Sequence, residues 1–305
     1  MFGLRPHGRT PGTSLGARHA ETYDGGVESR EAVERPVRFG TARLAPAPHH
    51  PTALLLTVDG TLQSCVDVED PARLHMPYSQ WIARVLDLHH PAGEPVSALH
   101  VGGGGFTIPR YVAATRPGSP QTVYELDGPL VDLVRSHLAL DSVADLRVHV
   151  EDGESGVGRA PNASADVVVV DVFQADTMMV HLAAVEFLCE IARVLRPGGL
   201  HLSNMWSAAD VTLVLRAVAS LGEVFPHVVL LTEAGPMLGK RPGNVVLAAS
   251  DRELPHQALT TWAESSGSSV FCLLAAELAA LHGTAPALTA EHPAGDVALV
   301  PRRPR

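Results

Sequence analysis

The sequence predicts an α/β fold, a doubly wound and largely parallel sheet of seven strands with a small antiparallel β-domain ahead of it. Three stretches carry that expectation. A short apolar strand, Ser97 to Val101, runs into four glycines, Gly102 to Gly105; a helix-compatible segment comes next, then a strand, Gln121 to Leu126, bearing Glu125 and followed by Asp127. Residues 164–173, SADVVVVDVF, form a continuous apolar run, the pattern of a central parallel strand buried on both faces. Farther on, HVVLLTE and NVVLAAS flank the loop AGPMLGKRPG, too short a connection for a parallel pair, so these two strands are antiparallel.

Taken in order, residues 1–36 are rich in Gly, Arg, His, Ser and Thr without periodicity and read as a disordered segment. From Val37 to Val68 the residues alternate, and Asp59-Gly60 between two strand-like runs predicts a hairpin, so 37–70 is the small β-domain. Residues 71–250 make the nucleoside-binding domain. His75 to Leu88 places Trp81, Ile82, Val85 and Leu86 at helical spacing. Pro109 is compatible with a helix only in its first turn. Pro129 to Leu138 is a helix, Leu146 to Val150 a third strand, and Val185 to Leu195 an amphipathic helix stopped by Arg196-Pro197-Gly198-Gly199. Leu200 to Asn204 and a helix from Ala209 to Leu221 lead into the closing hairpin. That hairpin, after alternating units, belongs to S-adenosylmethionine-methyltransferase-like (Rossmann-like) sheets rather than to dinucleotide dehydrogenases. Residues 251–305 hold one helix candidate, Val270 to Leu281, and a Pro/Arg-rich end.

Composition narrows the function classes. The 305 residues are 46% hydrophobic, enough for a buried core, and 33 acidic against 23 basic residues give a formal charge of -10. That balance argues against nucleic acid or an anionic membrane as partner and is compatible with a cationic substrate. Cys65, Cys189 and Cys272 are odd in number and lack metal-ligand spacing, so neither a disulfide framework nor a metal site is expected. With no membrane-length apolar run and no secretory leader pattern, a cytoplasmic protein is expected.

Candidate site residues stand at strand ends. Gly102, Gly103 and Gly104 either let a ligand approach the backbone, with Glu125 placed to accept both hydroxyls of a ribose, or make a tight structural turn beside a solvated acid. A dinucleotide fingerprint needs a third glycine where Thr107 stands, which disfavours NAD; a sulfonium nucleoside, lacking a pyrophosphate, does not need it. Asp152-Gly153 at the next strand tip suits an exocyclic adenine amine or an ordinary turn. Asp171 ends the central strand and fits a general base, an N-cap or a solvated acid. Tyr78 and Ser79, at a helix start, either face a cleft or serve as a core-edge aromatic and a helix cap.

Together LTVDGTLQS, PYSQWIARVLDL, LHVGGGG, VYELD, VEDG, VVVVDVF, ARVLRPGG and the final hairpin resemble the spermidine synthase (polyamine aminopropyltransferase) family, in its order and rough spacing, from about Leu54 to Ser250. The resemblance implies decarboxylated S-adenosylmethionine or S-adenosylmethionine as co-substrate and no metal. Gln63 matches the Gln near the nucleoside, Glu125 the ribose acid, Asp152-Gly153 the adenine pair, and Asp171 the general base on the amine. It implies a small-molecule acceptor; a homodimer stays open.

The departures fall on the acceptor side. The family's Gly-Gly-Gly-Asp turn ends here in Gly105, and Asp-Ser-Ser-Asp becomes Asp171-Val172-Phe173-Gln174, with Asp176 two residues later. Gln174 and Asp176 are therefore the candidate acceptor-binding residues. Each lost acid would have gripped an ammonium for about 1.5 to 3 kcal/mol, and losing two weakens binding on the order of a hundredfold or more. The expectation is a diverged spermidine synthase-like transferase, poor with putrescine; a small-molecule methyltransferase and a non-catalytic nucleoside-binding protein are the alternatives. Gly105→Asp should then raise preference for the decarboxylated donor.

Overall fold

Alternation in the N-terminal part becomes a four-stranded antiparallel meander: β1 (Val33–Val37), β2 (Gly40–Ala47), β3 (His50–Val58) and β4 (Thr61–Asp67). The computed structural model describes residues 31–174, 177–208, 210–265, 269–293 and 297–298. Most of the segment expected to be disordered, residues 1–30, lies outside the described residues. Its last part is corrected, because β1 starts at Val33 and pairs with β2. Asp59 and Gly60 both take positive φ, 46° and 81°, the primed turn whose twist suits a tight hairpin.

Ala42, Leu44, Leu54 and Leu56 of the meander pack with Phe106, Val123 and Val131 in one apolar cluster. The β-sheet expected as a domain of its own over 37–70 thus shares a core with the larger sheet, and the described residues form one compact unit.

The remaining elements are α1 (Pro77–His89), β5 (Ala98–Val101), α2 (Thr107–Thr115), β6 (Gln121–Glu125), α3 (Gly128–Leu138), β7 (Leu146–Val150), α4 (Gly153–Arg159) and β8 (Ala165–Val170). Next are two short paired strands, β9 (Phe173–Gln174) and β10 (Thr177–Met178). Then come α5 (Val185–Val194), β11 (Leu195–Ser207), α6 (Thr212–Val224), β12 (His227–Glu233), α7 (Ala234–Met237), β13 (Gly243–Ser250), α8 (His256–Ser265), β14 (Val270–Leu274), α9 (Ala275–His282) and β15 (Val297–Ala298), which pairs with β10.

The main sheet has the order β14-β12-β13-β11-β8-β5-β6-β7. From β11 to β7 neighbours run parallel, and β13 enters antiparallel between β11 and β12. The central strand is buried on both faces as its composition requires: Val168 and Val170 join the cluster packed by α5 and α6, Val167 and Val169 the cluster packed by α1 and α8. Pro109 is the third residue of α2, within the first turn, where its missing N–H has no helical partner to lose.

Three expectations are corrected. The sheet has eight strands, not seven, because Val270–Leu274 adds to the edge of β12 instead of opening a helix; Val270 and Cys272 turn inward while Phe271 faces out, a period of two. Helix α9 begins only after it. Arg196–Gly199 is not a turn ahead of the strand but an irregular stretch within β11, with Gly198 at φ 76° and a register shift between Leu195 and Leu200. Helix α8, not anticipated, buries Leu259 and Ala263, one turn apart. Among the described residues no helix is long and apolar enough to cross a membrane.

Three buried histidines tie the layers together and set a pH limit on stability. His100 Nε2 meets Gln121 Oε1 at 2.9 Å, and His89 Nε2 meets the Gly198 carbonyl at 2.9 Å. Burial above all pulls His89, His100 and His201 down from 6.5 to about 4. The unfolded chain therefore binds more protons than the folded one between those values, so stability falls as pH drops from about 6.5 toward 4. The loss is on the order of 3 kcal/mol at most for each histidine. Urea midpoints measured across that window should decline steeply; a flat profile would mean that these histidines are already protonated in the folded chain.

Candidate active site

Ligands in open α/β sheets sit beyond the carboxyl ends of the strands, and a cleft of about 930 Å³, counting its mouth, opens there. Its lining brings together Gln63, Gly102, Gly103, Gly104, Glu125, Asp152, Gly153, Asp171 and Gln174. These residues come from β4, from the ends of β5, β6, β7 and β8, and, for Gln174, from β9.

Backbone contacts fix the glycine turn. Gly102 has φ +92°, and a Cβ there would stand 2.2 Å from the Asp171 carbonyl oxygen, so only glycine fits. Glu125 Oε2 accepts from the N–H groups of Gly103 at 2.7 Å and Gly104 at 3.1 Å, and its Oε1 from Asp127 N–H at 2.9 Å. The carboxylate read from sequence as a free clamp for two ribose hydroxyls thus already closes the turn, and a ligand would share its remaining lone pairs. Asp127 is buried and caps α3, accepting from Leu130 N–H at 3.0 Å and Arg38 N–H at 3.1 Å.

Asp152 caps α4, with Oδ1 accepting from Ser155 N–H at 2.8 Å. Gly153 is required by packing, since a Cβ there would come within 2.4 Å of Val101 Cγ1.

Asp171 is the centre of a polar chain that crosses the strand ends. Asn204 Nδ2 on β11 donates to its Oδ1 at 2.9 Å, and Asn244 Nδ2 on β13 donates to Asn204 Oδ1 at 3.0 Å. The Tyr78 hydroxyl also donates to the carboxylate. Burial pushes the Asp171 pKa above its ordinary value, opposed by these two hydrogen bonds. Tyr78 moves well upward, by burial and then by the Asp171 charge, so it keeps its proton and acts as donor.

Ser79 is not a cleft residue. It is fully buried, and its hydroxyl donates to the Met76 carbonyl at 2.7 Å inside the first turn of α1. Asp176 lies outside the described residues.

Upstream, Asp67 orders the loop that delivers Tyr78. It accepts from Thr52 Oγ1 at 2.9 Å, from the N–H groups of Glu69 and Asp70, and stands 3.3 Å from His75 Nε2. Burial would raise its pKa, but these hydrogen bonds outweigh that and lower it.

Sequence reasoning missed Phe39, Ser64, Asn204 and Asn244. Asn204 had a signal, a polar side chain at the carboxyl end of a strand; the others arrive through long-range contacts. Ser64 matters most. Its Oγ accepts from Gly105 N–H at 3.1 Å, and a Cβ on Gly105 would meet Val66 Cγ2 at 2.7 Å and Ser64 Cβ at 2.8 Å. The place of the family's acid is therefore filled from β4, and Gly105→Asp would push that wall outward rather than report donor preference alone. Among the described residues no cluster of His, Cys, Asp and Glu could hold a metal ion.

No family model matches the chain. Over 147 residues it is 24% identical to a polyamine aminopropyltransferase of Chromobacterium violaceum, covering 48% of this chain and 55% of that protein. Over 218 residues it is 25% identical to the polyamine aminopropyltransferase of Vibrio vulnificus, covering 68% of each. The chain thus spans about half to two thirds of the length of these curated relatives. The crystal structure of a probable spermidine synthase from Corynebacterium glutamicum superposes with a TM-score of 0.78 at 26% identity, covering 85% of this chain and 96% of that one. Sequence and fold likeness together support membership in the spermidine synthase/polyamine aminopropyltransferase superfamily.

Proposed function

We propose that the chain is a spermidine synthase-like transferase that binds an adenosyl sulfonium donor and passes an aminopropyl group to an amine acceptor, putrescine being a poor one. The observation that carries this reading is the composition of the cleft. Among the described residues, five carboxylates line it around the glycine turn, and neither lysine nor arginine does. That field favours a cation, and a sulfonium is one.

In this reading Gln63, Gly102 to Gly104, Glu125, Asp152 and Gly153 hold the nucleoside, and Gln174 faces the acceptor. The acceptor nitrogen forms a bond to the donor carbon as the carbon–sulfur bond breaks, sulfur leaves as a neutral thioether, and Asp171 takes the ammonium proton. Tyr78 and Asn204 hold the carboxylate in place, and the rest is orientation. A methyltransferase using intact S-adenosylmethionine is the second reading, favoured by Gly105: with Ser64 and Val66 in its place, no acid there repels the carboxylate of the intact donor.

Calorimetry with decarboxylated S-adenosylmethionine, S-adenosylmethionine, methylthioadenosine and NAD tests the donor. At least one sulfonium and methylthioadenosine should bind, and Glu125→Ala should weaken them roughly 10- to 100-fold through lost charge-assisted hydrogen bonds. Binding of NAD alone would overturn the reading.

The role of Asp171 is tested by titration and by turnover. Its carboxyl ¹³C shift should titrate above the ordinary range, and Tyr78→Phe should move it further up, because the lost hydrogen bond favoured the charged form. Activity requires the ionised form, so the acidic limb of the rate profile should move in the same direction. Asp171→Asn should lower turnover roughly 10²- to 10⁴-fold with little change in donor affinity. An unchanged rate would leave a nucleoside-binding protein without catalysis at this residue.

A further inference from the structure

A second cavity lies behind Asp171, between the sheet and helices α5 and α6, and the transfer chemistry does not use it. Val172, Met179 and Leu182 line both this cavity and the cleft, so one thin apolar wall separates them. Asn204, the donor to Asp171, lines it as well. Met178, Met179 and Met205 also line it, three of the six methionines in the chain. Methionine is unbranched and polarisable, so such a wall reshapes around a guest at little cost.

One polar atom in this lining has no partner. His201 is 1% exposed, lines the cavity, stacks on Phe225 at 6.2 Å, and leaves Nδ1 without a hydrogen bond among the described residues. The Val168 backbone takes the other side of the ring, and the histidine stays neutral at pH 7, so Nδ1 is a bare acceptor in apolar surroundings. Buried acceptors are normally satisfied, and one that is not points to something missing. Among the described residues no carboxylate lines the cavity.

We propose that this cavity receives the apolar body of the acceptor, which enters past Val172 and Met179 and donates a hydroxyl or N–H at its far end to His201 Nδ1. The inference rests on the main cleft being the sulfonium site. It assigns the acceptor class: a primary amine on an apolar body that ends in a neutral hydrogen-bond donor. The reacting amine stays at Asp171, where its nitrogen bonds to the donor carbon, sulfur leaves as the thioether and the carboxylate takes the proton. A diamine is disfavoured because its second ammonium would enter an apolar pocket with no counter-ion.

Calorimetry on the full chain, saturated with methylthioadenosine, tests this with tyramine, phenethylamine and putrescine as probes. Tyramine should bind at least about tenfold tighter than the other two. His201→Phe should erase the tyramine preference over phenethylamine, and Ala217→Leu, which fills the cavity from α6, should weaken both aromatic amines, with methylthioadenosine affinity unchanged as the folding control. Should either variant fail to fold, the wild-type series decides alone. Tightest binding by putrescine, or tyramine affinity indifferent to both variants, would mean that the cavity holds only water and would overturn the inference. Failure of methylthioadenosine to bind the wild type would instead remove the reading of the main cleft on which it rests.

Discussion

The site depends on how closely two strand ends approach at Gly102. Gly102 N–H donates to the Tyr124 carbonyl at 2.9 Å and Asp171 N–H to the Val101 carbonyl at 2.9 Å, so the ends of β6, β5 and β8 are stitched in sequence. The space between the last two admits no side chain at Gly102. Both the glycine turn and Asp171 are therefore set by main-chain hydrogen bonds of a buried sheet, whose geometry is held more tightly than that of a loop. Glu125, the last residue of β6, completes the arrangement by tying the turn to that strand.

Asp171 is held between opposing effects. Burial favours its neutral form, while Tyr78 and Asn204 donate to its charged form, and the balance leaves the pKa raised. Among the described residues no cation neutralises it; an amide and a phenol that keeps its proton do the orienting. Because Asn204 is itself held by Asn244, the antiparallel hairpin that closes the sheet reaches the Asp171 carboxylate through one side chain. The hairpin thus has a part in the site as well as in the topology.

Legibility in the sequence tracks the range of each contact. Val167–Val170 announced a strand buried on both faces, Asp59-Gly60 a primed turn, and the strand-end acids Glu125, Asp152 and Asp171 a common cleft, because each depends on a few adjacent residues plus the rule that such sheets bind ligands at one edge. Contacts from distant segments were not legible. Ser64 and Val66 against Gly105, Arg38 on Asp127, and Asn204 on Asp171 are fixed only when the meander and the sheet share a core. Ser79 is the instructive miss, since a hydroxyl at a helix start can face a cleft or its own first turn, and only packing decides. Val270–Leu274 resembles a helix start because a short apolar run followed by AAELAALH continues plausibly as one; the free edge of β12 recruits it as a strand instead.

The dry surroundings of Asp171 also bear on the proton it would receive. An alkylammonium titrates near 10 and an ordinary carboxylate near 4, so moving a proton from one to the other in water costs about 8 kcal/mol. Burial beside Val172 and Phe173 works on both partners, raising the carboxylate and lowering the ammonium, and each unit of either shift removes about 1.4 kcal/mol from that cost. Added acids that grip an ammonium would act the other way, stabilising the charged amine that has to lose its proton. On the proposed reading, a chain with Gly105 and Gln174 where the resemblance implies acids gives up affinity for a polycation and gains ease of deprotonation. That exchange is favourable only for an acceptor whose binding comes from its apolar body rather than from its charge.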